Sequence, residues 1–192
     1  MTQFPDPGRS RAVLIGTGSH TEGSGLTDLP AVHTNLAALR AVLTDPDTGV
    51  LPPEHCVTAA DPGTPAEAGA VLACAAQQAT DLLLVYYSGH GLVDDRGRLH
   101  LALPQTEPGQ PRWSSLPFDT LREELLDSPA VIRVLILDCC FSGRAIEAMG
   151  GPDGEISGQI DIAGTYTLAS TSATTVSYAP RGAAHTAFTG PC

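Results

Sequence analysis

Two polar segments, each directly after an apolar run, carry the residues whose chemistry stands out. LLLVYYSGHG (82–91) places His90 between two glycines, and VLILDCCFSG (134–143) places an acid beside two thiols. A thiolate is a strong nucleophile, and a nearby imidazole is the usual group that generates one. If the fold brings them together, His90 and Cys140 predict nucleophilic thiol chemistry. The backbone N–H groups of Gly91 and Cys140 are then candidates for an oxyanion hole.

The elements around these segments alternate between strand and helix. Apolar runs predict strands over 11–15, 55–59, 82–87, 131–137 and 165–170, with a weaker hairpin arm over 98–103. Apolar residues at helical spacing predict helices over 34–43, 64–80 and about 118–125. This order predicts an α/β fold, a mostly parallel sheet with helices on both faces. In such sheets the active groups lie beyond the carboxyl ends of the strands, where both polar segments fall.

Composition narrows the classes of function. The chain has 192 residues, 42% of them hydrophobic, which suits a single domain over 11–192 after a tail over 1–10. A net charge of -11 without a basic cluster excludes nucleic acid as the expected partner. No apolar stretch is long enough for a membrane span, and the polar start is not a secretory signal. Five scattered cysteines indicate reduced thiols, so we expect a cytoplasmic protein.

The two polar segments resemble the His and Cys boxes of the caspase-like cysteine peptidases (clan CD, family C14), and especially their bacterial metacaspase-like branches. The spacing of about 50 residues between the two boxes agrees with that family. The resemblance covers 10–190 and implies a caspase-like fold of about six strands that hydrolyses peptide bonds in protein or peptide substrates. In the family's box the nucleophile stands two residues after the acid, which selects Cys140 over Cys139. Phe141 replaces the histidine that metacaspases usually have there.

The same resemblance implies a substrate pocket. Metacaspases have an acid at the position of Asp138 that selects Arg or Lys at P1, and we expect the same preference here. Asp28, in the loop after the first strand, is a candidate for a second wall of this substrate pocket, although the family's acid in that region falls nearer Asn35. Further polar contacts are expected from Ser170, Thr171 and Ser172.

The C-terminal part resembles a linker and the start of a further region. The segment 150–164 is rich in Gly, Asp and Ser, which predicts a mobile loop. In the caspase-like families this region joins the large and small subunits and is often cut, so Arg144 is a candidate processing site. The final HTAFTGPC resembles the opening of a helix that continues in relatives. We therefore expect a small-subunit part, or a C-terminal effector or partner domain, beyond this chain.

Other chemistries have weaker support. No Cys-x-x-Cys or paired His spacing is present, so no metal or other cofactor is expected. The turn at Asp94 and Asp95 is the one candidate for the calcium activation known in metacaspases. The leading interpretation is a cysteine endopeptidase. The alternatives are an inactive caspase-like recruitment scaffold and a redox sensor that uses Cys139 and Cys140.

Overall fold

A computed structural model describes residues 4–141 and 159–169 of the chain. The strands are β1 (Arg11–Gly16), β2 (Cys56–Ala60), β3 (Leu82–Val93), β4 (Leu99–Leu101), β5 (Leu116–Pro117), β6 (Ile132–Phe141) and β7 (Tyr166–Ala169). The helices are α1 (Ala31–Leu43), α2 (Pro65–Gln78), α3 (Pro111–Ser114) and α4 (Phe118–Asp127). Short 3-10 turns occupy Pro7–Arg9 and Pro53–His55.

The strands form one seven-stranded sheet. β2, β1, β3, β6 and β7 lie side by side in that order and are parallel. β1 pairs with β3 only as far as Ser88, and β4 then pairs antiparallel with β3 over residues 91–93. β5 extends this antiparallel arm beyond β4. The predicted mostly parallel α/β fold is confirmed, with one strand more than the six expected.

Helices cover both faces of the sheet. Val13 and Ile15 of β1 pack in a core cluster with α2 and α4, whereas Ala12 and Leu14 pack in a second cluster with α1. This alternation follows from the opposite directions of successive strand side chains. α2 begins as predicted, because the Thr64 hydroxyl accepts a hydrogen bond from the Glu67 N–H at 3.2 Å. Within the described ranges no helix is both long enough and apolar enough to span a membrane.

The length of β3 differs from the prediction. The apolar run ends at Tyr87, which predicts that the strand stops before His90. In the structure β3 continues to Val93, because β6 pairs with it as far as Gly91 and β4 pairs with its last residues. His90 therefore lies inside a strand that has neighbours on both sides.

The N-terminal tail and the end of the predicted loop both contact the domain where the structure describes them. In the expected tail, the Asp6 N–H donates to the Asp81 carboxylate, and the Arg9 carbonyl accepts from the Asp81 N–H. In the expected mobile loop, Gln159 accepts from the Leu99 N–H at 2.9 Å, and Ile162 is buried in the core. These contacts attach the described end of the loop to the domain, while 150–158 lies outside the described residues, and the mobility of the loop stays a prediction.

The turn between β3 and β4 is built around a buried carboxylate. Asp94 Oδ1 accepts from the Arg96 and Arg98 N–H groups, while Oδ2 binds the Arg98 guanidinium at 2.7 Å and lies 3.3 Å from His100 Nε2. Burial by itself would raise the pKa of Asp94, but the hydrogen bonds from Arg98, Arg96 and His100 together outweigh it and hold that pKa well below its ordinary value. This network stabilises the arm that extends β3 past His90.

We predict that Asp94→Asn lowers the free energy of unfolding by about 1–3 kcal/mol at pH 7, because a buried hydrogen-bonded charge is lost. A carboxyl group with a depressed pKa in the folded state stabilises the fold above its unfolded pKa. That contribution disappears as the pH falls, so the difference from wild type should narrow below about pH 4. Urea unfolding at pH 7 and pH 3.5 measures this. The exposed neighbour gives the control, since Asp95→Asn should change little at either pH. Equal effects of the two substitutions would contradict the prediction.

Candidate active site

His90 is held in place by a carbonyl group from the loop after β1. The side chain is buried, and Nε2 lies 2.8 Å from the Thr27 carbonyl oxygen. A carbonyl can only accept, so Nε2 carries the proton in this contact. In the neutral ring Nδ1 is then the unprotonated nitrogen. Within the described residues Nδ1 is buried and has no hydrogen-bond partner, which leaves its lone pair available.

The backbone around His90 explains the glycine that precedes it. The Tyr87 hydroxyl lies 3.1 Å from the His90 carbonyl oxygen and 2.8 Å from that of Ala102. A Cβ atom at Gly89 would approach the Tyr87 hydroxyl oxygen to 2.5 Å, far below van der Waals contact. Only glycine therefore leaves room for the hydroxyl that fixes the strand at His90.

Cys140 is paired with His90 on the neighbouring strand. The parallel register of β3 and β6 pairs Ser88 with Asp138, Gly89 with Cys139 and His90 with Cys140. Neighbouring strands are about 4.8 Å apart, so this register brings the two backbones together. The thiol of Cys140 lies outside the described part of the structure. The structure thus places both predicted residues at the same level of two adjacent central strands.

Cys139 and Gly91 occupy the neighbouring positions. Cys139 is 1% exposed and belongs to the core cluster on the α2 and α4 face, so it packs in the core. Gly91 lies in β3 opposite Leu101 of β4 and Phe141 of β6. The role of the Gly91 and Cys140 N–H groups as an oxyanion hole remains a prediction.

Asp138 is a buried carboxylate on the α1 side of the sheet. It is 2% exposed, and Oδ2 accepts from the Tyr86 hydroxyl at 3.1 Å and from Asn35 Nδ2 at 3.3 Å. Burial, followed by the charge of Asp138, raises the pKa of Tyr86 well above its usual value, so Tyr86 remains a neutral donor. Asn35, which the sequence linked to the family's acid, therefore supports Asp138 through a hydrogen bond.

The other expected substrate-binding residues are placed differently. The Asp28 side chain is 66% exposed, and its Oδ1 accepts from the His20 N–H at 2.8 Å. Asp28 is the residue after Thr27 in the chain. Its carboxylate shares neither the Tyr86 nor the Asn35 contact of Asp138. The remaining residues lie outside the described ranges: Ser170, Thr171, Ser172 and Arg144.

The turn at Asp94 and Asp95, the candidate for calcium binding, holds an internal ion pair. The Asp94 carboxylate already binds Arg98, as described above, and so serves the β3–β4 arm. Over 4–141 and 159–169, no cluster of three or more His, Cys, Asp or Glu side chains is suited to hold a metal ion.

Sequence reasoning missed two contributors to this site. Thr27 acts through its carbonyl, which no side-chain pattern reveals. No partner spacing singles out His20 in the sequence, yet its ring centroid lies 5.2 Å from that of His90, with the planes tilted by 52°. The signal that points to both is their position after β1, because loops at the carboxyl ends of parallel strands converge.

Comparison with known proteins places the chain in a family. The caspase domain model, Peptidase_C14, matches residues 9–190. Among solved structures, the chain is similar to protein GSU0716 from Geobacter sulfurreducens, with 21% sequence identity and a TM-score of 0.50. That match covers 70% of this chain and 51% of the other, so this chain spans about half the length of that relative and shares its fold. No curated protein is significantly similar in sequence. Because the family model matches nearly the whole chain and the sheet agrees with it, the protein belongs to the caspase domain family of clan CD peptidases.

Proposed function

We propose that the protein is a cysteine endopeptidase in which Cys140 is the nucleophile and His90 the general acid and base. The observation that carries the proposal is the register that sets His90 opposite Cys140 on two adjacent parallel strands. The Thr27 carbonyl supports it, because it fixes the tautomer in which Nδ1 can accept a proton. Membership of a peptidase family agrees with this chemistry.

The reaction would run in two halves. Nδ1 of His90 takes the proton of the Cys140 thiol, and the thiolate attacks the scissile carbonyl carbon. The imidazolium then gives the proton to the leaving amine, and an acyl-enzyme remains on Cys140. Water attacks that thioester with His90 as base, which releases the new carboxyl group and restores the thiol. Donation from backbone N–H groups, with Gly91 and Cys140 as candidates, would stabilise the oxyanion in both halves.

We also propose that the site prefers Arg or Lys at P1 through Asp138. Asp138 is a buried carboxylate two residues before Cys140, at the position where the family has the acid that selects basic P1 side chains. A guanidinium group adds a positive charge and two parallel hydrogen bonds. Asp28 is more exposed and would add a weaker, solvent-screened attraction.

A redox role for the adjacent thiols is less well supported. Cys139 is 1% exposed and packs in the core, so an oxidant would reach it only after local opening. A recruitment scaffold would have no need for a buried imidazole held by a carbonyl.

We predict that Cys140→Ala and His90→Ala each reduce peptide hydrolysis by about 10³-fold or more, because either change removes one member of a unit that acts together. Cleavage of a fluorogenic peptide mixture measures this. Cys139→Ala is the matched control, one residue from the nucleophile, and should keep most of the activity. Thermal unfolding of each variant separates a chemical loss from a loss of fold. Full activity in Cys140→Ala would end the proposal.

We further predict that matched peptides with Arg or Lys at P1 are cleaved at least about tenfold faster, by kcat/KM, than those with Ala or Asp. Asp138→Asn keeps the shape of the side chain but removes its charge, and should abolish most of this preference. Asp28→Asn should change it little. The preference for basic residues at P1 is contradicted if P1 Asp is cleaved best, and the assignment to Asp138 fails if Asp138→Asn retains the wild-type preference.

A further inference from the structure

His20 occupies an unusual position for a histidine. Its side chain is inaccessible to solvent, and within the described residues neither ring nitrogen has a hydrogen-bond partner. The nearest carboxylate oxygen, Asp28 Oδ1, lies 3.8 Å from Nδ1, beyond hydrogen-bond distance. A buried polar group without partners is costly, so the contact that His20 makes instead requires an explanation.

That contact is the ring of His90. The centroid distance of 5.2 Å and the 52° tilt fall in the range of favourable aromatic packing. His90 is held on one side by the Thr27 carbonyl and is packed by His20 on another. A hydrogen bond to one nitrogen still allows the ring to swing about it, and a packed neighbour removes part of that freedom.

The loop that carries His20 is fixed at several points. The Gly18 N–H donates to Asp61 Oδ1 at 2.7 Å, and the Thr21 N–H donates to the Pro104 carbonyl at 2.8 Å. The His20 N–H itself donates to Asp28 Oδ1. The ring of His20 is therefore presented to His90 by anchored backbone on both sides.

His20 is also in the charge state that this packing requires. Burial, and then the proximity of His90, lower the pKa of His20. The Asp28 and Asp61 carboxylates, and the Thr27 carbonyl that lies near the ring without a well-aligned hydrogen bond to it, raise the pKa of His20 but do not outweigh these effects. At neutral pH the ring is uncharged, so it can pack against His90 without repelling the imidazolium that forms during catalysis.

We propose that His20 is a positioning residue of the His90–Cys140 dyad, whose uncharged ring holds the His90 imidazole in the orientation that binds the Thr27 carbonyl. Its effect on catalysis rests on the proposed peptidase function. The orientation of His90 does not, and can be observed without any substrate.

The test compares His20→Ala, His20→Leu and His20→Phe. Long-range ¹H–¹⁵N spectra of the imidazole groups, assigned with His90→Asn, report which nitrogen of His90 carries the proton. Wild type and His20→Phe should show a single tautomer with the proton on Nε2. His20→Ala and His20→Leu should show a mixture. His55→Phe is the control. His55 directly precedes β2, at the amino end of that strand and away from the carboxyl ends where His90 lies, so this substitution should leave the His90 signals unchanged.

Kinetics give the second readout. His20→Ala should lower kcat at least about tenfold with KM within about twofold, since misplacement of a reacting group is expressed in the chemical step. His20→Phe should recover kcat to within about threefold of wild type. If His20→Ala does not fold, the comparison of kcat between His20→Leu and His20→Phe tests the positioning role.

The outcomes separate the two proposals. A wild-type His90 tautomer in both His20→Ala and His20→Leu overturns the positioning role, whatever the activity. Wild type that folds but cleaves no peptide overturns the proposed function, and the spectra still decide whether His20 positions His90.

Discussion

The parallel pairing of β3 with β6 is the interaction on which the rest of the site depends. It runs from Leu82 against Ile132 to Gly91 against Phe141, the longest pairing in the sheet, and so continues past the end of β1. Backbone hydrogen bonds set the relative level of two residues that are far apart in sequence. The arm of β4 and β5 and the loop after β1 then fill the space that opens where β1 stops.

The sequence predicted the fold class and the order of the main elements, because strong apolar runs mark them. A family-specific pair of boxes singled out His90 and Cys140, which the register brings to the same level. It did not predict the length of β3, since Gly89, His90 and Gly91 resemble a turn when considered without neighbours. Pairing with β4 and β6 overrides that local preference. His20 escaped prediction for a related reason, because a contact between two loops separated by many residues leaves no spacing to detect.

Two buried carboxylates show how one fold treats charge in different ways. The Asp94 side chain is 3% exposed and binds the Arg98 guanidinium in a short ion pair, so it helps to hold the turn together. Asp138 is as deeply buried but accepts from the hydroxyl of Tyr86 and the amide of Asn35. Neutral donors stabilise a carboxylate less than a cation does, so these two contacts differ in strength from the ion pair of Asp94.

Backbone register, and not a side-chain contact, pairs His90 with Cys140. This limits how the sequence can change during evolution. Apolar substitutions in the two core clusters, other than at Tyr87, can accumulate without changing the pairing of His90 with Cys140, because backbone hydrogen bonds set that pairing. Insertion or deletion of one residue within either strand would turn every later side chain to the opposite face. At the apolar positions of β3 and β6 the residue type can therefore change, whereas the number of residues in either strand cannot, and variation in length is confined to the connecting loops.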